Sequence, residues 1–205
     1  MIRVLIADDH PVVREGLAAL IGRPTDMEVI AEVSNGREAF EQFLIHRPDI
    51  ALMDLRMPEL DGVDAILAIR EQVPAARIIV LTTFDGDEDI YRGLRAGAKG
   101  YLLKDACREE LLECIRAVYD GRTWIPPAVA AKLAIRIGGP DLTSRELEVL
   151  NLMVAGNSNK EIGTALGVSE GTIKAHVNRV LEKLGVSGRT EATAVALKRG
   201  IVRLE

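Results

Sequence analysis

The stretch Ile2-Arg-Val-Leu-Ile-Ala-Asp8-Asp9 is a short apolar run that ends in two acidic residues. Similar apolar runs return along the first 120 residues and alternate with amphipathic helical stretches, a pattern typical of a parallel sheet covered by helices. We predict five strands at residues 2–7, 29–33, 50–53, 78–81 and 101–103. Helices are predicted near residues 12–21, 37–46, 63–72, 87–96 and 107–119. The pattern indicates an α/β doubly wound, five-stranded parallel sheet.

Polar residues follow four of the five predicted strands. Asp8 and Asp9 follow the first strand, Asp54 the third, Thr82 the fourth and Lys104 the fifth. In an open parallel sheet, ligands bind outside the carboxyl ends of the strands. If the strand order is 2-1-3-4-5, the strands that carry these residues are neighbours. The sequence therefore predicts one pocket that contains three carboxylates, a hydroxyl and an ammonium.

This combination of groups favours phosphoryl transfer. Crowded carboxylates repel one another unless their pKa values rise or a cation binds. Oxygen ligands suit Mg²⁺, which also bridges to phosphate oxygens. A carboxylate can attack phosphorus while the metal and a lysine neutralise the developing charge. We therefore expect Mg²⁺ as cofactor, with Asp54 as the phosphoacceptor because it lies at the centre of the set.

The second part of the chain differs from the first in composition and in its pattern of apolar residues. Residues 121–140 are rich in Gly and Pro and enclose a short apolar helical stretch, which predicts a linker. Beyond it no strand pattern occurs, and Thr143-Ser-Arg-Glu146 and Ser158-Asn-Lys-Glu161 both fit the capping box of a helix start. We therefore divide the chain into a first domain at 1–120, a linker with a short helix at 121–140 and an all-α domain at 141–205.

A helix, a tight turn and a second helix are predicted within the all-α domain. Gly167 suits the end of one helix, and Ser169 can cap the next. This second helix has an apolar face formed by Ile173, Val177, Val180, Leu181 and Leu184. Its opposite face presents side chains that can contact base edges or phosphates in a major groove, namely Thr172, Lys174, Ala175, Asn178 and Arg179.

Composition limits the other classes of function. Residues 1–125 hold 15 Lys and Arg against 23 Asp and Glu, a net charge of -8, whereas residues 141–205 hold 9 against 8. Any DNA contact must therefore depend on local placement of basic groups. No apolar run reaches the roughly 18 residues of a spanning helix, and no signal-peptide pattern occurs. We expect a cytoplasmic protein with no membrane partner. Cys107 and Cys114 are expected to be reduced thiols, and the scattered histidines predict no zinc site.

The motifs of the first domain resemble those of a receiver domain, with its flavodoxin-like fold. They are Asp8-Asp9, Met53-Asp54-Leu-Arg-Met57-Pro58-Glu-Leu-Asp61-Gly62, Thr82-Thr83 and Gly100-Tyr101-Leu-Leu-Lys104. The resemblance implies that Asp8, Asp9, Asp54 and the backbone carbonyl of Arg56 form the metal site. It also implies that Thr82 and Lys104 bind the phosphoryl oxygens, and that Tyr101 is the switch aromatic that rotates inward, behind Thr82, on activation.

The second domain resembles the LuxR-type helix-turn-helix domain, in the segments that begin at Leu142, Ser158, Val168 and Lys183. Together the two halves are similar to the NarL/FixJ class of response regulators. The likeness implies base contacts from Lys174, Ala175 and Asn178, and DNA backbone contacts from Lys160, Thr172, His176 and Arg179. It also implies that the last helix, 189–199, pairs two DNA-binding domains. Gly163, inside a helix, is expected to reflect close helix packing.

The class implies a two-component regulator of transcription, in which phosphorylation of Asp54 switches dimerisation and DNA binding. Its expected partners are a sensor histidine kinase, promoter DNA, RNA polymerase and a second copy of the chain. It is not expected to be an enzyme beyond its own phosphoryl transfer and dephosphorylation.

Three alternatives stay open at this point. The first is a regulator of the same fold that acts without phosphorylation. The second is an aspartate-nucleophile phosphatase, although Arg56 stands where such enzymes usually carry a second Asp. The third is a flavin or nucleotide binder, although the loop after the first strand, Asp8-Asp-His-Pro11, has acid and no glycine where a phosphate cradle needs backbone donors.

Overall fold

Five parallel strands form one sheet in the computed structural model. They are β1 (Ile2–Ala7), β2 (Met27–Val33), β3 (Ile50–Asp54), β4 (Ile78–Thr82) and β5 (Gly100–Leu103). The strand order is β2-β1-β3-β4-β5, which confirms the predicted doubly wound topology. The structure describes residues 1–82, 87–137 and 140–202, and the side chains of Thr82, Asp87 and Ile135 lie outside this description.

Five helices alternate with these strands. They are α1 (Pro11–Ile21), α2 (Gly36–His46), α3 (Gly62–Gln72), α4 (Asp87–Arg95) and α5 (Arg108–Tyr119). Local sequence explains where several of these helices begin. Pro11 opens α1, where its missing N–H costs no intrahelical bond. The side chain of Asn35 accepts a hydrogen bond from the backbone of Glu38 and so caps α2.

The central strands are buried on both faces. All five residues of β3 are buried, and so are Val4, Leu5, Ile6 and Ala7 of β1. Continuous apolar strands of this kind are typical of a parallel sheet covered by helices on both sides. The register pairs Ala7 with Met53 and Thr82 with Leu103, so that β1, β3, β4 and β5 end along the same edge of the sheet.

The remaining helices are α6 (Pro127–Ile137), α7 (Ser144–Val154), α8 (Asn159–Leu166), α9 (Glu170–Leu184) and α10 (Arg189–Arg199). By its contacts the chain divides into one unit of Met1–Phe84 and Ile90–Ala131 and a second of Asp85–Asp89 and Lys132–Glu205. The division after residue 131 falls within α6, inside the predicted linker, and the division after residue 89 falls within α4. The domain limits at 1–120, 121–140 and 141–205 stay predictions.

Two capping boxes begin successive helices of the second unit. Thr143 and Glu146 exchange side-chain to backbone hydrogen bonds at the start of α7, and Ser158 and Glu161 do so at the start of α8. Both boxes are as predicted from the sequence. Each satisfies two backbone donors that a helix start leaves without intrahelical partners.

The core of the second unit lies between α7, α8, α9 and α10. Ile173 and Val180 of α9 are fully buried and Val177 nearly so, which confirms the predicted apolar face. A Cβ at Gly163 would lie 2.8 Å from the carbonyl oxygen of Val168. Because Gly163 has no side chain, the backbone at Val168, just after the end of α8, can lie close to this helix. This agrees with the close packing expected at Gly163.

Both cysteines are free thiols. Cys107 is exposed, whereas Cys114 is buried within α5, and this burial raises the pKa of the Cys114 thiol well above its ordinary value. Within the described ranges, no helix combines the length and the apolar character needed to cross a membrane.

Candidate functional site

The side chain of Lys104 joins two carboxylates at the carboxyl edge of the sheet. Its Nζ lies 2.7 Å from Oδ2 of Asp54 and 2.9 Å from Oδ2 of Asp8. Asp8 follows β1, Asp54 ends β3 and Lys104 follows β5, so three distant parts of the sequence meet here. With Asp9, which lies beside Asp8 and Asp54, the structure thus brings together four of the five residues that the strand ends predict to share a pocket.

These three groups are shielded from water. The side chains of Asp8, Asp54 and Lys104 are 0%, 6% and 11% exposed. Burial raises the pKa of the Asp54 carboxyl, more than the hydrogen bond and charge of Lys104 lower it. Burial also opposes the charge of Lys104, but the hydrogen bond from its ammonium to Asp54 and its ion pair with Asp8 outweigh burial and raise its pKa. At neutral pH the lysine is therefore a fixed positive charge beside the carboxylates.

Backbone groups fix the orientation of both buried carboxylates. The N–H of Arg56 donates to Oδ1 of Asp54 at 3.2 Å, and the N–H of His10 donates to Oδ1 of Asp8 at 2.9 Å. The guanidinium of Arg14, on the first turn of α1, donates to the backbone carbonyl of Asp8 at 2.6 Å. Each carboxylate therefore has one oxygen held by backbone and the other oriented toward Lys104.

The third acidic residue of the predicted pocket, Asp9, lies at the outer side of the pocket with its neighbour His10. Oδ1 of Asp9 is buried, accepts no hydrogen bond in the described part of the chain, and lies 2.6 Å from Nδ1 of His10. Lone pairs at this separation repel unless a proton or a cation lies near them. Ligand atoms of Asp8, Asp9, His10 and Asp54 all lie within 4.8 Å of one another.

This donor set fits a divalent cation. Carboxylate oxygens are the ligands that Mg²⁺ prefers, and the three aspartates Asp8, Asp9 and Asp54 would hold it. The backbone N–H of Arg56 donates a hydrogen bond to Asp54. That the carbonyl of Arg56 is a metal ligand stays a prediction. The cluster also includes His10, which the sequence interpretation passed over as one of three scattered histidines. Its position directly after Asp8-Asp9 was the available signal.

The two predicted switch residues are placed differently. Thr82 ends β4 and pairs with Leu103, but its side chain lies outside the described residues. Tyr101, on β5, is fully buried, and its hydroxyl donates a hydrogen bond of 2.6 Å to the backbone carbonyl of Ile90 in α4. The ring of Tyr101 is therefore directed into the fold.

An ion pair next to the pocket was not predicted. Asp61 caps α3 by accepting a hydrogen bond from the backbone of Asp64, and its other oxygen lies 3.3 Å from the guanidinium of Arg92 in α4. The loop that leaves Asp54 is thereby tied to α4. No local pattern indicates this contact, because 31 residues separate its partners.

The predicted DNA-reading face lies on α9. Lys174, Ala175, Asn178 and Arg179 are all exposed on this helix. Thr172 is exposed too, and its hydroxyl lies 2.9 Å from that of Ser169, whose oxygen caps the helix. The structure therefore places these five side chains on one accessible surface of a single rigid element.

The two remaining predicted DNA contacts are Lys160 and His176. Lys160 is exposed on the first turn of α8. His176, on α9, is half-buried, and its Nδ1 has no hydrogen-bond partner among the described residues. The turn between α7 and α8 is held by Arg189 of α10, whose guanidinium donates to the backbone carbonyls of Met153 and Asn157.

Comparisons with known proteins agree with both halves of this description. Residues 4–116 match the family described as the response regulator receiver domain, and residues 140–196 match the bacterial regulatory proteins of the luxR family. The chain is 41% identical over 214 residues to the uncharacterized transcriptional regulatory protein YxjL of Bacillus subtilis (strain 168), with 98% of each chain covered.

Solved structures extend the likeness to three dimensions. The response regulator ChrA of a heme-sensing two-component system is 36% identical, with a TM-score of 0.60 and 98% of both chains covered. The RcsB–DNA complex has a TM-score of 0.70 at 27% identity, covering 95% of this chain and 96% of that one. The chain therefore belongs to the response regulators of two-component systems, with a receiver domain followed by a LuxR-type DNA-binding domain that regulates transcription.

Proposed function

We propose that Asp54 accepts a phosphoryl group with the help of Mg²⁺, and that this modification switches dimerisation and sequence-specific DNA binding. The observation that carries the proposal is the buried contact of Lys104 with both Asp54 and Asp8. A buried lysine between two carboxylates is a preorganised positive charge at the place where negative charge would develop. Such groups lower the barrier to phosphoryl transfer because they need no reorganisation during the reaction.

The chemical step follows from the residues around Asp54. An oxygen of its carboxylate attacks phosphorus, an acyl phosphate forms, and the bond to the donor breaks as the leaving group takes its electron pair. The Lys104 ammonium can transfer its contact from the carboxylate to a phosphoryl oxygen. Bound Mg²⁺ supplies further positive charge to the transferred oxygens. In this account Asp8, Asp9 and the Arg56 carbonyl hold the metal, and Thr82 binds a phosphoryl oxygen.

DNA binding is the output of the proposed switch, and we assign it chiefly to α9. We infer that Lys174, Ala175 and Asn178 contact base edges, while Lys160, Thr172, His176 and Arg179 contact the DNA backbone. Six of these side chains are exposed on α8 and α9, which supports the proposal, whereas His176 is half-buried. RcsB is known as a complex with DNA and as dimers bound to DNA, and we propose that this chain likewise binds as a homodimer. A sensor histidine kinase as donor, RNA polymerase as a further partner and a cytoplasmic location complete the proposal.

The phosphoacceptor is tested by labelling the full chain with acetyl phosphate in Mg²⁺. Asp54→Asn is expected to abolish labelling, because no other carboxylate contacts both the Arg56 N–H and Lys104 in the described structure. The matched control is Asp61→Asn, which changes a carboxylate in the same loop but keeps a side chain that can cap α3. Labelling of Asp54→Asn at the wild-type level would overturn the assignment.

The proposed base contact of Lys174 is tested separately. A duplex selected by the wild-type protein from a random pool serves as the probe. Lys174→Ala is expected to weaken binding by about tenfold to a hundredfold, the usual cost of one base contact, and to leave labelling of Asp54 unchanged. Glu182→Ala, an exposed change on the same helix, is the control. Equal affinities for the two variants would remove Lys174 from the base-reading set.

Dependence on phosphorylation is tested with beryllofluoride, which mimics a phosphoryl group. Dimerisation of the wild-type chain is expected to increase with beryllofluoride and Mg²⁺, and that of Asp54→Asn is not. If both chains dimerise and bind the selected duplex equally well without it, the chain acts without phosphorylation and the switching part of the proposal fails.

A further inference from the structure

Tyr101 is buried because α4 leaves room for it. The nearest groups to its hydroxyl include the backbone carbonyl of Ile90, which accepts its hydrogen bond at 2.6 Å, and Gly93, one turn further along the same helix. A Cβ built on Gly93 would lie 2.1 Å from the Tyr101 hydroxyl oxygen and 3.2 Å from its Cζ. The first distance is far shorter than any non-bonded contact, so a side chain at Gly93 and this position of Tyr101 exclude each other.

Glycine is an unfavourable residue inside a helix, because it loses more backbone entropy on folding than alanine and contributes no side-chain packing. Gly93 has neighbours on both sides in α4, and its carbonyl accepts a hydrogen bond from Ala98, so it is an integral part of the helix end. It is also buried. Helix propensity therefore does not explain glycine here, whereas the space that the Tyr101 hydroxyl occupies does.

We propose that Gly93 is the positioning residue for Tyr101: it admits the tyrosine to its inward position against α4, and any larger side chain would drive the ring outward. Two features of the protein itself support the inward position, namely the empty side-chain volume of Gly93 and the Ile90 carbonyl. Neither feature belongs to the acidic pocket. The position of Tyr101 is thus tied directly to the backbone of α4.

Under the proposed function, Gly93 also affects the response of the chain to phosphorylation. If inward Tyr101 belongs to the activated receiver, Gly93 lowers the free energy of that state relative to one with the ring outward. A side chain at Gly93 would shift the balance in the opposite direction, because a state that is favoured less needs more differential binding to become populated. The chain with glycine should therefore respond to a lower dose of phosphoryl donor or mimic than one with alanine.

The position of Tyr101 is measured by fluorine NMR on the full chain labelled with 3-fluorotyrosine. The chain has three tyrosines, and Tyr91→Phe and Tyr119→Phe assign the signals. Gly93→Ala is expected to move the Tyr101 signal and expose it to a water-soluble paramagnetic agent. The control is Gly16→Ala in α1, where a Cβ meets nothing within 4 Å. An unmoved and still protected Tyr101 signal in a folded Gly93→Ala chain would overturn the proposal.

A rescue variant separates positioning from general damage. Since the first atom that a Cβ would meet is the hydroxyl oxygen, Tyr101→Phe should relieve the conflict. Gly93→Ala is expected to raise the beryllofluoride concentration for half-maximal dimerisation by about tenfold. A change of this size corresponds to the free-energy cost of a strained side-chain rotamer. In the Tyr101→Phe background the same change should alter it by less than about twofold. Equal effects in both backgrounds would contradict the proposed contact.

Failure of a variant to fold and failure of the phosphorylation switch have distinguishable results. If Gly93→Ala alone does not fold, the proposal requires that adding Tyr101→Phe restores folding, and an unfolded double variant overturns it. If beryllofluoride has no effect on wild-type dimerisation, the proposed phosphorylation switch fails. The fluorine signal of Tyr101 would still decide whether Gly93 positions the ring.

Discussion

The acidic pocket and the exposed face of α9 are built from the chain in opposite ways. The pocket joins Asp8, Asp54 and Lys104, which are far apart in sequence, are almost fully buried and meet only because β1, β3 and β5 end at one edge. The face of α9 takes its side chains from a few turns of a single exposed helix. Fold stability and function are therefore coupled in the pocket and separable on the helix face.

The difference has a physical origin. A charge removed from a buried cluster leaves its partners without compensation in a medium of low polarity, whereas a charge removed from an exposed helix is replaced by water. Substitutions in the pocket should thus change the free energy of unfolding as well as the chemistry. Substitutions of charged and polar side chains on the face should change DNA affinity and leave the free energy of unfolding nearly unchanged.

The largest effect is expected from Lys104→Met. This variant leaves Asp54 and Asp8 buried without the ammonium that lies between them, and we expect the free energy of unfolding at pH 7 to fall by about 3 kcal/mol. Mg²⁺ should restore part of the loss, because a cation at the aspartates replaces the missing positive charge. Urea denaturation with and without Mg²⁺ measures both effects.

Lys99→Met is the control for that experiment, because Lys99 is exposed on the segment before β5. Its unfolding curve should match that of the wild type and should respond to Mg²⁺ in the same way. If the two methionine variants are equally stable, the buried pocket does not depend on Lys104, and the contrast between pocket and helix face is lost.

Much of the pocket was accessible from sequence because topology converts strand ends into neighbours. The order of the strands and the polar residue after each of them were enough to place Asp8, Asp54 and Lys104 together. The start of β2 was predicted two residues late. Met27 and Glu28 pair with the first residues of β1, and such pairing is a property of the sheet rather than of the local pattern.

Long-range side-chain contacts were not accessible in the same way. Gly93 against Tyr101, Arg92 with Asp61 and Lys183 with Glu146 join residues on different elements. Helical periodicity and capping rules describe one element at a time and do not specify which side chains meet across two of them. These contacts also differ in kind, since one depends on volume and the others on charge.

The next effect in size concerns a buried ion pair inside the DNA-binding half. Glu146 is nearly buried, caps α7 and lies 2.7 Å from the ammonium of Lys183 at the end of α9. Burial opposes its ionisation, but the hydrogen bonds from Lys183 and Thr143 outweigh burial and lower its pKa. Glu146→Gln keeps the cap and removes the charge. We expect a loss of about 2 kcal/mol at pH 7, measured by urea denaturation.

The pH dependence of that loss has a definite sign. Because the pKa of Glu146 is lower in the folded than in the unfolded chain, its contribution is fully present above the ordinary value of 4.5 and disappears as pH falls through the folded value. The stability difference between wild type and Glu146→Gln should therefore shrink in acid. A difference that stays constant from pH 7 down to acid unfolding would contradict the ion pair.

Glu161 supplies the matched control, since it closes the equivalent capping box of α8 but is exposed. Hydrogen bonds from Ser158 lower its pKa as well. In the described part of the chain no basic side chain pairs with it. Glu161→Gln should therefore cost less stability than Glu146→Gln, in line with the different burial of the two carboxylates. Equal costs would show that the cap, and not the ion pair, dominates at both sites.

The smallest effects come from two exposed helical glycines, one in each half. A Cβ on Gly16 of α1 meets nothing within 4 Å, and it would border an apolar cavity of about 270 Å³ lined by Val12, Leu17 and Leu20 among others. Gly16→Ala is expected to stabilise the chain by up to about 1 kcal/mol through helix propensity. Labelling of Asp54 should be unaffected. A thermal or urea midpoint below that of the wild type would contradict this expectation.

Gly171→Ala makes the same change on the first turn of α9, where the nearest atom to a Cβ is Oγ of Ser169 at 3.8 Å. Stability should rise by a few tenths of a kcal/mol, less than for Gly16→Ala, because the residue lies at the helix end. Unlike Gly16, however, Gly171 lies on the proposed DNA-reading helix. A new methyl group there can contact a thymine methyl, so we expect a changed base preference at one position of each half-site. Selection of duplexes from a random pool measures that preference, and an unchanged preference would place Gly171 outside the groove.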